Sequence, residues 1–384
     1  MTQLGTVTPP LPASPKGLEG VVANESSVCY VFGEEGRLIY RGYDISDLAE
    51  HSRFEETAYL LLRGDLPTRE QLKEFEDDLK SARKLDRVVL RVMKDAPAGS
   101  LPMNVLRTAV SASVFADPDR GDISAAAEGR KAVRLIAQIP AMVAAFHRLR
   151  SGQKPLAPRR GLSHAANFLF MLTGEVPDAQ VSRALDVSLI LHADHELNAS
   201  TFAARVIAAT LADVHGAATG AIAALAGPLH GGANTEVMRM LLEIGTPERA
   251  EAWVLERLKR KEKIMGFGHR VYRTEDPRAA HLRRMSEEMG RKFGQSHWFA
   301  MQRIIEDVMK REKGIYCNVD FYSASLFYAL GIPLDLYTAI FATSRVSGWC
   351  AHVLEQHGDN RLIRPRAEYV GAMNRTWVPV RKRG

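Results

Sequence analysis

Apolar residues along this chain recur mostly at intervals of three and four, the period of helices that bury one face. In "TREQLKEFEDDLKSA", Leu72, Phe75, Leu79 and Ala82 share a face, and Thr68 with Gln71 reads as a capping box. "SRFEETAYLLLRG" reads the same way, with Ser52 and Glu55 as the box and Gly64 as the stop. The pattern predicts further helices over residues 102–116, 125–149, 163–173 and 180–192, then a long run over 199–226. That run, rich in alanine and glycine, suits a buried helix or a close helix–helix contact, because small side chains let backbones approach. Strand signals are confined to "SVCYVFGEEGRLIYRG", read as one hairpin of 28–31 and 38–40 around a turn at 33–36. The predicted fold class is mostly α with a small N-terminal β-hairpin.

Composition changes this picture little. The 384 residues, 46% of them hydrophobic, are enough for a substantial core in one large domain or two unequal ones. A formal charge of +6 favours acidic partners in general, yet no basic block interleaved with aromatics points to nucleic acid. Cys29, Cys317 and Cys350 lie far apart and are odd in number, which argues against a disulfide framework and fits a reducing compartment. "MTQLGTVTPPLPASPKG" is polar and proline-rich, and residues 1–16 are expected to be a disordered arm rather than a signal peptide. No apolar run reaches the roughly 18 residues of a membrane span, so a soluble, cytoplasmic protein is expected.

Chemistry concentrates in four stretches. "LHADHELNAST" sets His192 and His195 three apart at a helical end, a spacing open to metal binding or to substrate contact. In "GPLHGGANTEV", glycines flank His230, and Asn234 reads as the cap of a helix whose positive end would keep that histidine neutral. "MGFGHRVYRTEDPR" follows a helix, not a strand, and has Val271 where a dinucleotide fingerprint needs its third glycine. It reads as a bendable corner presenting His269, Arg270, Arg273 and Arg278. In "IYCNVDFYSASLFYALGIP", Asp320 stands among apolar neighbours, as a helix cap or as a base made stronger by desolvation. Arg345 lies in an apolar helical stretch, a costly place unless it meets an anion, and Arg364 follows downstream. Arginines would clamp a small di-acid, the aspartate would remove a weakly acidic proton, and neutral histidines would stabilise an enol and polarise a carbonyl. No metal, flavin or nicotinamide is required for that chemistry.

"LHADHELNAST", "GPLHGGANTEVMRML", "MGFGHRVYRTEDPRA", "GIYCNVDFYSA" and "SRVSGW…NRLIRPRAEYVG" resemble, in order and separation, the citrate synthase family over almost the whole chain. The resemblance implies a two-domain, mostly α homodimer: a large domain of 17–226 plus 326–384 and a small one of 227–325. It implies condensation of acetyl-CoA with oxaloacetate, with Asp320 as base, His230 on the thioester oxygen and His269 on the keto oxygen. His195, Arg278 and Arg345 would hold oxaloacetate, and Arg364 would come from the partner subunit. Lys263, Met265, Gly266, Phe267, Gly268 and Arg273 resemble the CoA-binding portion. No cofactor is implied, acetyl-CoA being a substrate. The related 2-methylcitrate synthases use propionyl-CoA. His192 and Arg270 stand where that subfamily often carries tyrosine and proline, which leans towards acetyl-CoA. A rival reading is a metal-dependent hydrolase on His164, His192, Asp194 and His195.

Overall fold

The computed structural model describes residues 16–383 apart from Glu19 and Ala98, so the arm expected at 1–16 lies outside the described residues except for Lys16. Residues Ser26–Arg361 form one compact unit. Within it, sixteen α-helices are described, together with one small antiparallel sheet of order β1 (Cys29–Phe32), β2 (Arg37–Tyr40) and β3 (Tyr43–Asp44). The predicted hairpin is β1–β2, with Cys29 opposite Tyr40 and Phe32 opposite Arg37, and β3 adds a strand that the alternation did not show. Among the described residues, no helix is long and apolar enough to cross a membrane.

The core is built around the Tyr337–Gly358 helix, buried along nearly its whole length because most of its residues are apolar or small, with Arg345, His352 and Gln356 as buried polar exceptions. It packs against Ala125–Arg150, against Ala199–Ala208 and against the end of Ala179–His192. The alanine- and glycine-rich run is two helices, Ala199–Ala208 and Val214–Leu225, not one. Asp213 ends the continuity: its carboxylate accepts the Gly216 N–H at 2.9 Å and starts a new helix, a local bond that outweighs alanine's helical preference. The two helices do pack closely. A Cβ on Gly220 would fall 2.1 Å from Ile207 Cδ1.

The capping box expected at Ser52 is also corrected. Ser52 ends the preceding helix, Ile45–His51, and the next helix runs Phe54–Arg63 without a side-chain cap. Glu55 instead turns inward and accepts the His164 N–H at 2.7 Å, a long-range bond that the local pattern could not reveal.

Two helices carry the site. Pro277–Lys292 packs along Val319–Ala329, so their first turns, which hold Arg278 and Asp320, belong to one helical layer. The second unit comprises the described residues of the N-terminal 25 together with 362–383. It has a single helical turn at each end, and Tyr369 Oη donates to the Ala372 carbonyl at 2.9 Å.

Candidate active site

His195 is set on a corner pinned from three sides. The chain leaves the Ala179–His192 helix at Ala193, and Asp194 is completely buried. Tyr40 Oη donates to the Asp194 carbonyl at 2.8 Å and receives its N–H at 3.1 Å. The Asp194 carboxylate lies 3.0 Å from His352 Nε2, and His352 Nδ1 accepts from Arg205 at 3.0 Å, so Nε2 is the nitrogen that donates. Beyond this corner, His195 Nε2 lies 3.4 Å from Tyr272 Oη, and its ring centre is 5.0 Å from that of His269. Burial, then the Arg278 charge, hold His195 well below the ordinary histidine range. His192 is different. Its Nδ1 lies 2.7 Å from the Ser188 carbonyl, and burial pushes it down to about 3.

The rival metal set does not assemble. His164 packs on Phe54 with ring centres 4.9 Å apart, Asp194 is engaged by His352, and His192 and His195 face different partners. Among the described residues, ligand-like spacing occurs instead at Glu275, Glu306 and Cys317, and Arg283 already donates to both carboxylates.

The Met265–Arg278 stretch is indeed a bent corner, stitched to the start of the Asp320 helix. Gly268 N–H donates to Tyr316 O at 3.0 Å, Asn318 N–H to Gly266 O at 2.9 Å, and Asn318 Nδ2 to Gly268 O at 3.0 Å. Gly266 is required twice over, by a φ of +83° and by a Cβ position only 2.7 Å from Phe321 Cδ2. His269 Nδ1 accepts two main-chain N–H groups, from Val271 at 3.0 Å and Tyr272 at 3.1 Å. Main-chain amides only donate, so the ring proton is on Nε2 and remains available as a donor. Burial, then Arg278, lower this histidine to about 4.

Asp276 caps the Pro277–Lys292 helix and grips Arg278 with two bonds of 2.9 and 2.7 Å. Burial alone would raise Asp276, but the buried Arg278 guanidinium overrides it and keeps the carboxyl ionised below its usual range.

Asp320 is in the first turn of its helix, and Asn318 is the cap, so Asp320 is left without capping duty. Desolvation is the largest influence on its carboxyl, and Asp276 adds to it. Arg278 and Arg345 oppose them, and the result is a rise to about 6. The same two arginines act on His195 and separately on His269 and His230, which ties all four groups to one electrostatic environment.

His230 departs from its expected support. Gly232, not Asn234, caps the following helix, Ala233–Ile244, and Asn234 is buried within its first turn. The ring leans instead on the N-terminus of Ala199–Ala208. Ser200 N–H donates to its Nε2 at 3.3 Å, and Ser200 Oγ lies 2.9 Å from the same atom. Trp349 Nε1 holds that hydroxyl at 3.1 Å. With Nε2 accepting, Nδ1 carries the proton. Burial, then Arg345, lower His230 to about 4.

Arg345 is 1% exposed and, among the described residues, meets no carboxylate. Its Nε donates to the His192 carbonyl at 2.7 Å, and its guanidinium lies 4.7 Å from the Phe341 ring centre. A buried cation so lightly paired is suited to an incoming anion. Lys263 and Arg273 are exposed, Met265 and Phe267 half-buried, and Arg364 is an exposed residue of the second unit. Sequence reading passed over Tyr272, Asp276, Ser200 and Trp349. Only Asp276 left a signal, as the aspartate before a proline that opens a helix.

A family model described as "Citrate synthase, C-terminal domain" matches residues 17–366. This chain belongs to the citrate synthase family. Citrate synthase 2 of Bacillus subtilis is 49% identical over 96% of the chain and 99% of its own length. Among solved structures, Pyrobaculum aerophilum citrate synthase superposes with a TM-score of 0.90 at 42% identity, covering 96% of this chain and 95% of that one. Citrate synthase from Thermoplasma acidophilum, solved in ternary complex with carboxymethyl coenzyme A and oxaloacetate, gives 0.90 at 34% identity, covering 96% and 99%. A 2-methylcitrate synthase of Mycobacterium tuberculosis is 44% identical over 93% of this chain and 90% of its own length.

Proposed function

We infer that this enzyme is a citrate synthase, condensing acetyl-CoA with oxaloacetate to give citrate and CoA. The observation that carries the reading is the pairing of charge states. Two histidines are held neutral, each with one ring N–H left to donate, while a desolvated aspartate at about 6 is ionised at neutral pH and unusually basic. In the proposed sequence, the Asp320 carboxylate takes a methyl proton from acetyl-CoA as His230 Nδ1–H stabilises the enol oxygen. The methylene carbon attacks the keto carbon of oxaloacetate, and His269 Nε2–H polarises and then protonates the oxygen. Water cleaves the thioester and releases CoA. Arg278, Arg345 and His195 would hold the di-acid, with Arg364 supplied by the partner subunit of a homodimer. Lys263, Met265, Gly266, Phe267, Gly268 and Arg273 would receive CoA. Residues 227–325 would act as the small domain against 17–226 plus 326–384, in a cytoplasmic enzyme.

The 44% identity to a 2-methylcitrate synthase makes propionyl-CoA the alternative substrate. One methylene in an apolar pocket is worth only about 1–3 kcal/mol, so the acyl group must be measured. Thiol release is to be followed from acetyl-CoA and propionyl-CoA in parallel, with and without oxaloacetate. Oxaloacetate-dependent release that favours acetyl-CoA is expected. Release that ignores oxaloacetate would overturn the condensation, and a preference for propionyl-CoA would move the chain to the alternative.

A further inference from the structure

The small sheet plays no part in the chemistry above, yet it touches both corners that carry the keto-acid histidines. At its open end, Cys29 and Tyr40 are opposite each other. Cys29 Sγ accepts the Glu196 N–H at 3.2 Å and Tyr40 Oη brackets Asp194, so β1 and β2 grip the residues on either side of His195. At its tip, the Gly33 carbonyl accepts the Arg273 N–H at 3.0 Å. The contact there is backbone against backbone. A Cβ on Gly33 would lie 2.4 Å from the Val271 carbonyl oxygen, and one on Gly36 would lie 2.6 Å from Thr274 Cγ2 and 2.9 Å from the Glu275 carbonyl oxygen.

The peptide segment held by the tip is the one that fixes His269. Val271 presses its carbonyl on Gly33 and gives its N–H to His269 Nδ1. Gly33 has no positive φ, so its turn does not demand glycine; the close approach does. We propose that the β1–β2 tip is a positioning element of the keto-acid site, a rigid spacer that sets His269 against His195 and so fixes the specificity for a short keto di-acid. The proposal rests on the condensation reading.

Gly33→Ala is the direct test, because its backbone conformation suits any residue and only the clash is new. Steady-state kinetics, oxaloacetate binding and the thermal midpoint are to be measured for wild type, Gly33→Ala and Gly161→Ala, whose added Cβ meets nothing within 4 Å. The expected result is a rise of about tenfold in oxaloacetate KM for Gly33→Ala, beyond what any lowering of the midpoint accounts for at the assay temperature, and less than the ~100-fold that a 1 Å misplacement can cost. Gly161→Ala should match wild type. Folded Gly33→Ala with wild-type oxaloacetate KM would overturn the proposal, as would a loss that merely follows a lowered midpoint. Hydrogen exchange in the wild type gives a reading independent of the variant. The Arg273 amide should be protected when oxaloacetate is bound, and an unprotected amide contradicts the spacer role. Wild type lacking oxaloacetate-dependent thiol release would instead strike the condensation reading itself.

Discussion

Three protonation states carry the proposed chemistry. His269 is fixed by two backbone amides on Nδ1, His230 by the Ser200 amide on Nε2, and both are lowered to about 4, so neither changes charge near neutrality. Asp320, raised to about 6, does. A base must be ionised to act, so activity is lost as pH falls through the raised value. The logarithm of kcat/KM should therefore bend downward on the acid side with an apparent pKa near 6. Activity persisting undiminished well below that point would remove Asp320 from the base role. Sequence reading reaches Asp320, because its apolar neighbours are contiguous in the chain. It misassigned Asn234 because the support for His230 comes from Ser200, thirty residues upstream and on another helix.

Among elements, several helices were legible where one face is buried and the ends carry their own caps, although Arg87–Lys94, capped by Asp86, was not singled out. The Thr68–Gln71 capping box stands as read, with both reciprocal bonds present. Errors fell where a long-range partner claimed the local group. Glu55 was taken by His164 rather than by its own helix terminus. The 199–226 run read as one helix because its alanines hide the Asp213 break. The corner at 265–278 bends, as its glycines predict. Its stitching to Tyr316 and Asn318, which brings the His269 corner to the Asp320 helix, joins segments some fifty residues apart, and no periodicity encodes that.

For the whole molecule, residues from His195 to Arg345 share one environment within the Ser26–Arg361 unit, whereas Arg364 belongs to the other. Its proposed place in a partner's pocket is a claim about assembly and needs a test at that level. Arg364→Ala subunits mixed with Asp320→Asn subunits should regain activity as heterodimers, since one intact pocket re-forms. Verified subunit exchange without recovery would argue against a shared site. In the proposed mechanism, residues spread along the chain meet in one pocket where a clamped di-acid lies beside a carbon being deprotonated by Asp320. Oxaloacetate binding and citrate formation, measured together on Asp320→Asn, test it most directly. Retained binding with turnover abolished is expected; near-normal turnover by that variant would exclude Asp320 as the base.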